Sequence, residues 1–131
     1  MLRKAILTLC IPLLSCTLYA QDSLFIQEFN QLSREAARFL NVDLDSMRLV
    51  IDETNILVAD HPETMQAGIA LVIEGEYYNR VGNFDTAMIF FEKAHDRYLS
   101  VGEFKRAARA NLRIAQTLEW MGKTDEALLV Q

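Results

Sequence analysis

The sequence predicts an all-α protein built as an array of antiparallel helical hairpins, and three observations carry that prediction. The stretch "VGNFDTA" at 81–87 returns twenty residues later as "VGEFKRA" at 101–107, and in degraded form as "MGKTDEA" at 121–127. A longer period lies over the short one. "DSMRLVI" at 45–51, "DTAMIFF" at 85–91 and "DEALLVQ" at 125–131 share an opening Asp and apolar residues at the same offsets, so two kinds of helix alternate in a forty-residue unit. Finally, the chain has 5 Gly and 2 Pro against 51% hydrophobic residues, too few breakers for an all-β protein and enough apolar mass for one core.

The first segment, 1–20, reads as a secretory signal peptide. "MLRK" is basic, "AILTLCIPLL" is an apolar run and "LYA" is a small-residue exit, with cleavage expected after Ala20. That predicts export to the periplasm or the exterior. The run is shorter than the ~20 apolar residues a membrane span needs. An alternative stays open at the same place, because "LLSC" at 13–16 resembles a bacterial lipobox. In that case Cys16 would carry lipid and the product would be a membrane-anchored lipoprotein. Both cysteines, Cys10 and Cys16, lie in this segment. The mature chain, 21–131, would then have neither thiol chemistry nor a Cys-based metal site.

In the helical region a twenty-residue step fits one helix of ~17 residues, about 25 Å long, plus a three-residue turn. Gly82, Gly102 and Gly122 mark helix ends, where the residue just past the terminus adopts a left-handed conformation that costs Gly nothing. At the preceding step, "HPETMQA" at 61–67 has Pro62 in place of Gly, expected to stop one helix and to stand in the first turn of the next, with Glu63 favouring the positive helix start. Ala67, Ala87, Ala107 and Ala127 fall five residues past each turn, where two antiparallel helices are still close and a larger side chain would hold them apart.

Charge narrows the choice of partners. Lys and Arg number 13 against 18 Asp and Glu, and loss of Arg3 and Lys4 with the leader leaves 11 against 18, a net charge of −7. Nucleic acid is therefore not an expected partner, since phosphate binding needs a cationic surplus. One local exception is the run Lys105, Arg106, Arg109 and Arg113, in which 105, 109 and 113 share a helix face. It reads as a solvated face, with a site for an acidic peptide or carboxylate as the functional alternative.

Enzymatic signals are thin. "EKAH" places Glu92 and His95 at a Glu-x-x-His spacing, but a di-iron carboxylate site needs a second copy and two more glutamates, and the chain has no second copy. Glu92 is expected to be exposed and His95 partly packed. His61 is expected to be a cap or surface residue. Glu74 and Glu76, two apart on a helix, face different ways. Tyr77, Tyr78, Phe84, Phe90 and Phe91 have helical spacing and are expected in the core. No catalytic residue, cofactor or metal is predicted, and a metal-dependent helical enzyme is the remote alternative.

The residues of "LVIEGEYYNRVGNFDTAMIFFEKA" resemble a tetratricopeptide repeat (TPR). Gly75, Tyr78, Gly82, Phe84, Ala87, Phe91 and Ala94 follow the family's order of small and aromatic positions across one hairpin. The neighbouring units are thinner, with Gly102 and Ala107, then Ala115, Leu118, Gly122 and Ala127, and with Leu44, Met47 and Ile51 earlier. Departures are Glu74 where the family has Leu, Thr124 for the turn aromatic, and a forty-residue period in place of thirty-four, as in longer-helix versions from bacterial regulators and sensor ectodomains.

The resemblance, over roughly 42–131, implies a right-handed solenoid that binds a protein or peptide and does no chemistry. Its concave side would be formed by Ile69, Val72, Glu76, Asn79 and Arg80 from one helix and Arg109, Leu112, Gln116, Glu119 and Trp120 from another. The family's carboxylate clamp is not reproduced, though Arg109 and Arg113 approximate it. The last helix stops at Gln131 with Leu128, Leu129 and Val130 on an unfinished turn, so the expectation is a truncated frame or a second copy covering that end. An exported adaptor is the first reading. The alternative is the N-terminal sensor region of a longer histidine kinase or transcriptional regulator.

Overall fold

The computed structural model describes the backbone of residues 2–130 and the side chains of residues 19–130. It consists of α1 (Leu2–Phe39), α2 (Leu44–Ala59), α3 (Met65–Arg80), α4 (Phe84–Ser100), α5 (Phe104–Trp120) and α6 (Thr124–Val130), with no strand among the described residues. Each helix packs on the next in chain order, and α1 also meets α3.

The three glycine turns share one construction. Gly82, Gly102 and Gly122 have φ of 79°, 76° and 75°, and they are the only positive-φ residues among those described. At the first turn the Gly82 N–H donates to Asn79 O at 3.2 Å and the Asn83 N–H to Tyr78 O at 2.9 Å, the paired bonds of a Schellman motif. The second and third turns repeat them, from Gly102 and Glu103 onto Leu99 and Tyr98, and from Gly122 and Lys123 onto Glu119 and Leu118. Asn83 then serves the next helix too, its side chain accepting from the Thr86 N–H as the N-cap of α4. Helix α2 has its own cap, Asp43, which accepts from the backbone of Asp45 and Ser46 and from the Ser46 hydroxyl. The Ser46 bonds hold the Asp43 carboxyl below its ordinary range.

Pro62 does not stand in the first turn of α3. The helix begins at Met65 with Thr64 as N-cap, accepting from the Ala67 N–H, and Pro62 lies in the turn before it. A proline ring can end α2 without starting α3, because a threonine oxygen satisfies the free helix N–H better than proline's fixed φ alone. Glu63 is exposed and pairs across to Arg97 of α4 at 3.1 Å.

Helices α3 and α4 approach most closely where α3 lacks side chains. A Cβ placed on Gly75 would lie 2.6 Å from Phe91 Cε1, and one on Gly68 would lie 2.6 Å from Tyr98 Cε1. Each glycine is a socket for a ring that is 0% and 3% exposed, respectively. Around these rings pack the small residues Ala87 and Ala94 of α4, Ala107 and Ala115 of α5, and Ala127 of α6, all buried. Of the aromatics expected in the core only Phe91 is fully enclosed. Tyr77, Tyr78, Phe84 and Phe90 are half-buried, and Tyr78 stacks on Phe90 with centroids 5.4 Å apart. At the two glycines Phe91 and Tyr98 fill the gap between α3 and α4, which leaves the other rings toward the rims.

Helix α1 runs without a break past Ala20. The Cys16 side chain lies outside the described residues. Beyond position 20, Phe25, Phe29, Leu32 and Ala36 form a buried stripe at steps of four, three and four, with Leu32 and Ala36 packed against Val50 of α2. No helix among the described residues is long and apolar enough to cross a membrane.

Glu74, in the middle of α3, is buried and accounted for by α2. It accepts from Asn55 Nδ2 at 3.0 Å and from Arg48 Nη1 at 3.3 Å, and Arg48 also bonds Asp52. A buried carboxylate needs such partners, because an unpaired one would cost several kcal/mol. With them it ties α2 to α3 in one register.

Candidate functional site

A groove of about 830 Å³ runs across α1, α3 and α5. Its α1 wall is Ser33, Ala36 and Ala37, small residues on one face of the helix that keep one side of the groove wide, with Leu40 in the turn just past the helix end. The α3 wall carries Val72, Ile73, Glu76, Asn79 and Arg80, again one face of a helix. The α5 wall carries Arg113, Gln116, Glu119 and Trp120, with Met47 of α2 and Phe84 of α4 completing the lining.

Two contacts fix α3 against α5. Asn79 Nδ2 donates to Thr117 Oγ1 at 3.0 Å in a buried setting, while the Thr117 hydroxyl donates back to Arg113 O at 2.8 Å. A buried amide left without that acceptor would be costly, so the bond selects one helix register. Closer to the groove surface, Arg113 Nε lies 2.9 Å from Glu76 Oε1. The two are in charge contact but not aligned as a hydrogen bond, so this buried oxygen keeps accepting capacity in reserve. Arg113 Nη1 also donates to Gln116 at 3.2 Å. Arg80 and Glu119 are exposed, which gives the groove two cationic and two anionic side chains. At one end Trp120 is 60% exposed, with its ring 6.3 Å from that of Phe84.

The residues picked from the repeat pattern divide between two cavities. Val72, Glu76, Asn79, Arg80, Gln116, Glu119 and Trp120 line the groove. Ile69 and Arg109 instead line a smaller notch on the same face, of about 170 Å³, which Val72 and Arg113 share. Leu112 lines neither. The α1 wall, Met47 and Ile73 were not anticipated from sequence; the buried stripe from Phe25 to Ala36 was the signal that would have placed Ser33 and Ala37 beside it. Phe84, read as a structural repeat residue, contributes to the groove as well.

The remaining candidates lie apart. Glu92 is exposed on α4, and His95 is half-buried with Nδ1 3.3 Å from Asp96 Oδ1. Among the described residues no three His, Cys, Asp or Glu side chains gather in a metal-binding group. The His61 ring packs at a tilt against that of Phe25 of α1, with centroids 4.0 Å apart, and the His61 carbonyl accepts from the Thr64 hydroxyl. It therefore packs the α2–α3 connection against α1. On α5, Lys105 is exposed and Arg106 pairs with Glu103 at 3.6 Å.

Comparison of the chain with known protein families, with curated proteins and with solved structures finds no match.

Proposed function

We propose that the chain is a non-catalytic, TPR-like scaffold of the long-repeat kind, exported from a bacterial cytoplasm, which holds a peptide or a segment of a partner protein in the groove across α1, α3 and α5. The observation that carries this reading is the groove itself. It has helical walls fixed by the Asn79–Thr117 bond, an apolar lining from Val72, Ile73, Met47 and Leu40, and a balanced set of charges at its surface. Such a lining suits an extended segment that offers both apolar and polar side chains, because preformed walls spare the complex the cost of ordering them. The repeated glycine turns and the Gly75–Phe91 socket support a solenoid of stacked hairpins.

Selection of random displayed peptides on the full chain tests the reading. Peptides that bind in the groove perturb the Trp120 emission and lose at least tenfold in affinity in Arg80→Glu, while Glu53→Lys, on the exposed face of α2, leaves them unchanged. Peptides weakened equally by both substitutions, or none selected at all, would overturn it.

A further inference from the structure

Two aromatic side chains line the groove. Phe84 opens α4 and Trp120 closes α5, and their ring centroids lie 6.3 Å apart with the planes at 49°, which makes a corner and not a stack. Trp120 is exposed, although few side chains gain more from burial.

Elsewhere the chain covers its partly exposed rings with its own cations. The Arg38 guanidinium stands 4.8 Å from the centroid of Phe39, that of Arg48 stands 5.6 Å from Tyr77, and the Lys93 ammonium stands 5.5 Å from Phe90. Among the described residues no Lys or Arg covers Phe84 or Trp120 in this way. The acid next to them is uncompensated as well. Glu119 precedes Trp120, lines the same groove and is exposed, and among the described residues it forms no ion pair, whereas Glu76 has Arg113. Arg80 also lines the groove, but it neither pairs with Glu119 nor covers a ring, so it does not fill this place.

These features select one kind of side chain. Aromatic faces carry negative potential, so an anion is repelled by the rings and by Glu119 alike. An apolar side chain would rest on the rings but would take water from the carboxylate without replacing it. A cation is drawn by both. The methylene stem of a lysine or arginine covers apolar surface while its charged head stays near water, which suits an open corner with a carboxylate beside it.

We propose that the corner of Phe84 and Trp120, together with Glu119, holds a lysine or arginine side chain of the segment bound in the groove. The inference rests on the groove taking such a segment, and it names the residue by which that segment is anchored.

The first test is titration of the full chain with n-butylammonium, a lysine side chain cut from its backbone, with n-butanol as the neutral counterpart at the same ionic strength. Binding is read from the emission of Trp120, the one tryptophan of the chain. Butylammonium is expected to shift it saturably and butanol to bind about fivefold more weakly, with Glu119→Gln and Phe84→Leu each weakening the cation about threefold. Butanol matching butylammonium, or both substitutions leaving the cation unchanged, would overturn the proposal. The second test takes peptides selected on the chain and replaces each lysine by norleucine and each arginine by citrulline. One such replacement is expected to weaken binding about fivefold in the original protein and far less in Glu119→Gln. Peptides that bind the groove and need none of their cations would overturn the anchor and leave the groove reading intact. A chain that selects no peptide but binds butylammonium as described would sink the groove reading and leave the preference of the corner for cations standing.

Discussion

Replacing Gly75 with Ala sets two known effects against each other at one atom. In a helix interior free of neighbours, Gly→Ala gains ~1 kcal/mol through backbone entropy. Here the new Cβ would fall 2.6 Å from Phe91 Cε1, 2.8 Å from Cδ1 and 3.0 Å from Cζ. Carbon atoms in good contact sit about 3.5–4.0 Å apart, so the overlap is roughly 1 Å. Phe91 is 0% exposed and packs with Ala87, Ile114, Ala115 and Leu118, so the ring has nowhere to turn. Overpacking of this kind costs ~1–3 kcal/mol, and with the propensity gain subtracted the net loss is roughly 0–2 kcal/mol. The decisive comparison is a double-mutant cycle by chemical denaturation. In a Phe91→Val background the Cδ, Cε and Cζ atoms that meet the new Cβ are gone, and the same Gly75→Ala change is expected to stabilise by up to ~1 kcal/mol. Gly75→Ala stabilising the unmodified protein by that amount, or an identical effect in both backgrounds, would refute the close-approach reasoning.

Gly102→Val is expected to lower stability by ~1–2 kcal/mol although nothing lies within 4 Å of the added Cβ, because the cost is the left-handed backbone and not a clash; a thermal melt within error of the original would contradict that. Thr117→Val keeps the shape of the side chain but leaves the Asn79 amide without its acceptor, and denaturation should show a loss of ~1–3 kcal/mol, most of it recovered when Asn79 is also made apolar. Burial raises the Tyr98 hydroxyl to about 12, with Arg106 opposing the shift. The unfolded phenol ionises near pH 10, so the protein keeps this contribution below about pH 10 and loses it as the pH rises toward 12. Melts recorded across that window should fall more steeply for the unmodified protein than for Tyr98→Phe, and parallel curves would count against the assignment.

What could be read from the chain depended on whether a residue's reason was local. The turns at 82, 102 and 122 were legible because a left-handed backbone asks for glycine whatever surrounds it. The Ala positions were legible because helices close to a tight turn demand small side chains. Gly68 and Gly75 give no such local sign, for their purpose is the ring opposite, and the ring belongs to another helix. The half-buried Tyr77, Phe84 and Phe90 show the same limit: helical spacing says that they share a face, not how near the neighbouring helix comes. In the groove, Val72, Glu76, Asn79 and Arg80 of α3 and Gln116, Glu119 and Trp120 of α5 were picked from the sequence pattern, while Ile73 was missed and Ile69, Arg109 and Leu112 lie outside. The α1 wall was not picked, because α1 ends at Phe39 without a glycine and its buried stripe lies outside the twenty-residue echo. The Glu76–Arg113 pairing and the notch beside it depend on two helices meeting, and no spacing along either one announces them.

The double duty of Asn83 reaches beyond local geometry. Its N–H finishes α3 while its side chain begins α4, so neither end can fray without unseating the other. The thermodynamic unit is therefore larger than a single rod. The coupling belongs to this turn, since Glu103 at the corresponding place before α5 makes no side-chain cap bond, so α3 and α4 are the pair whose ends are held together.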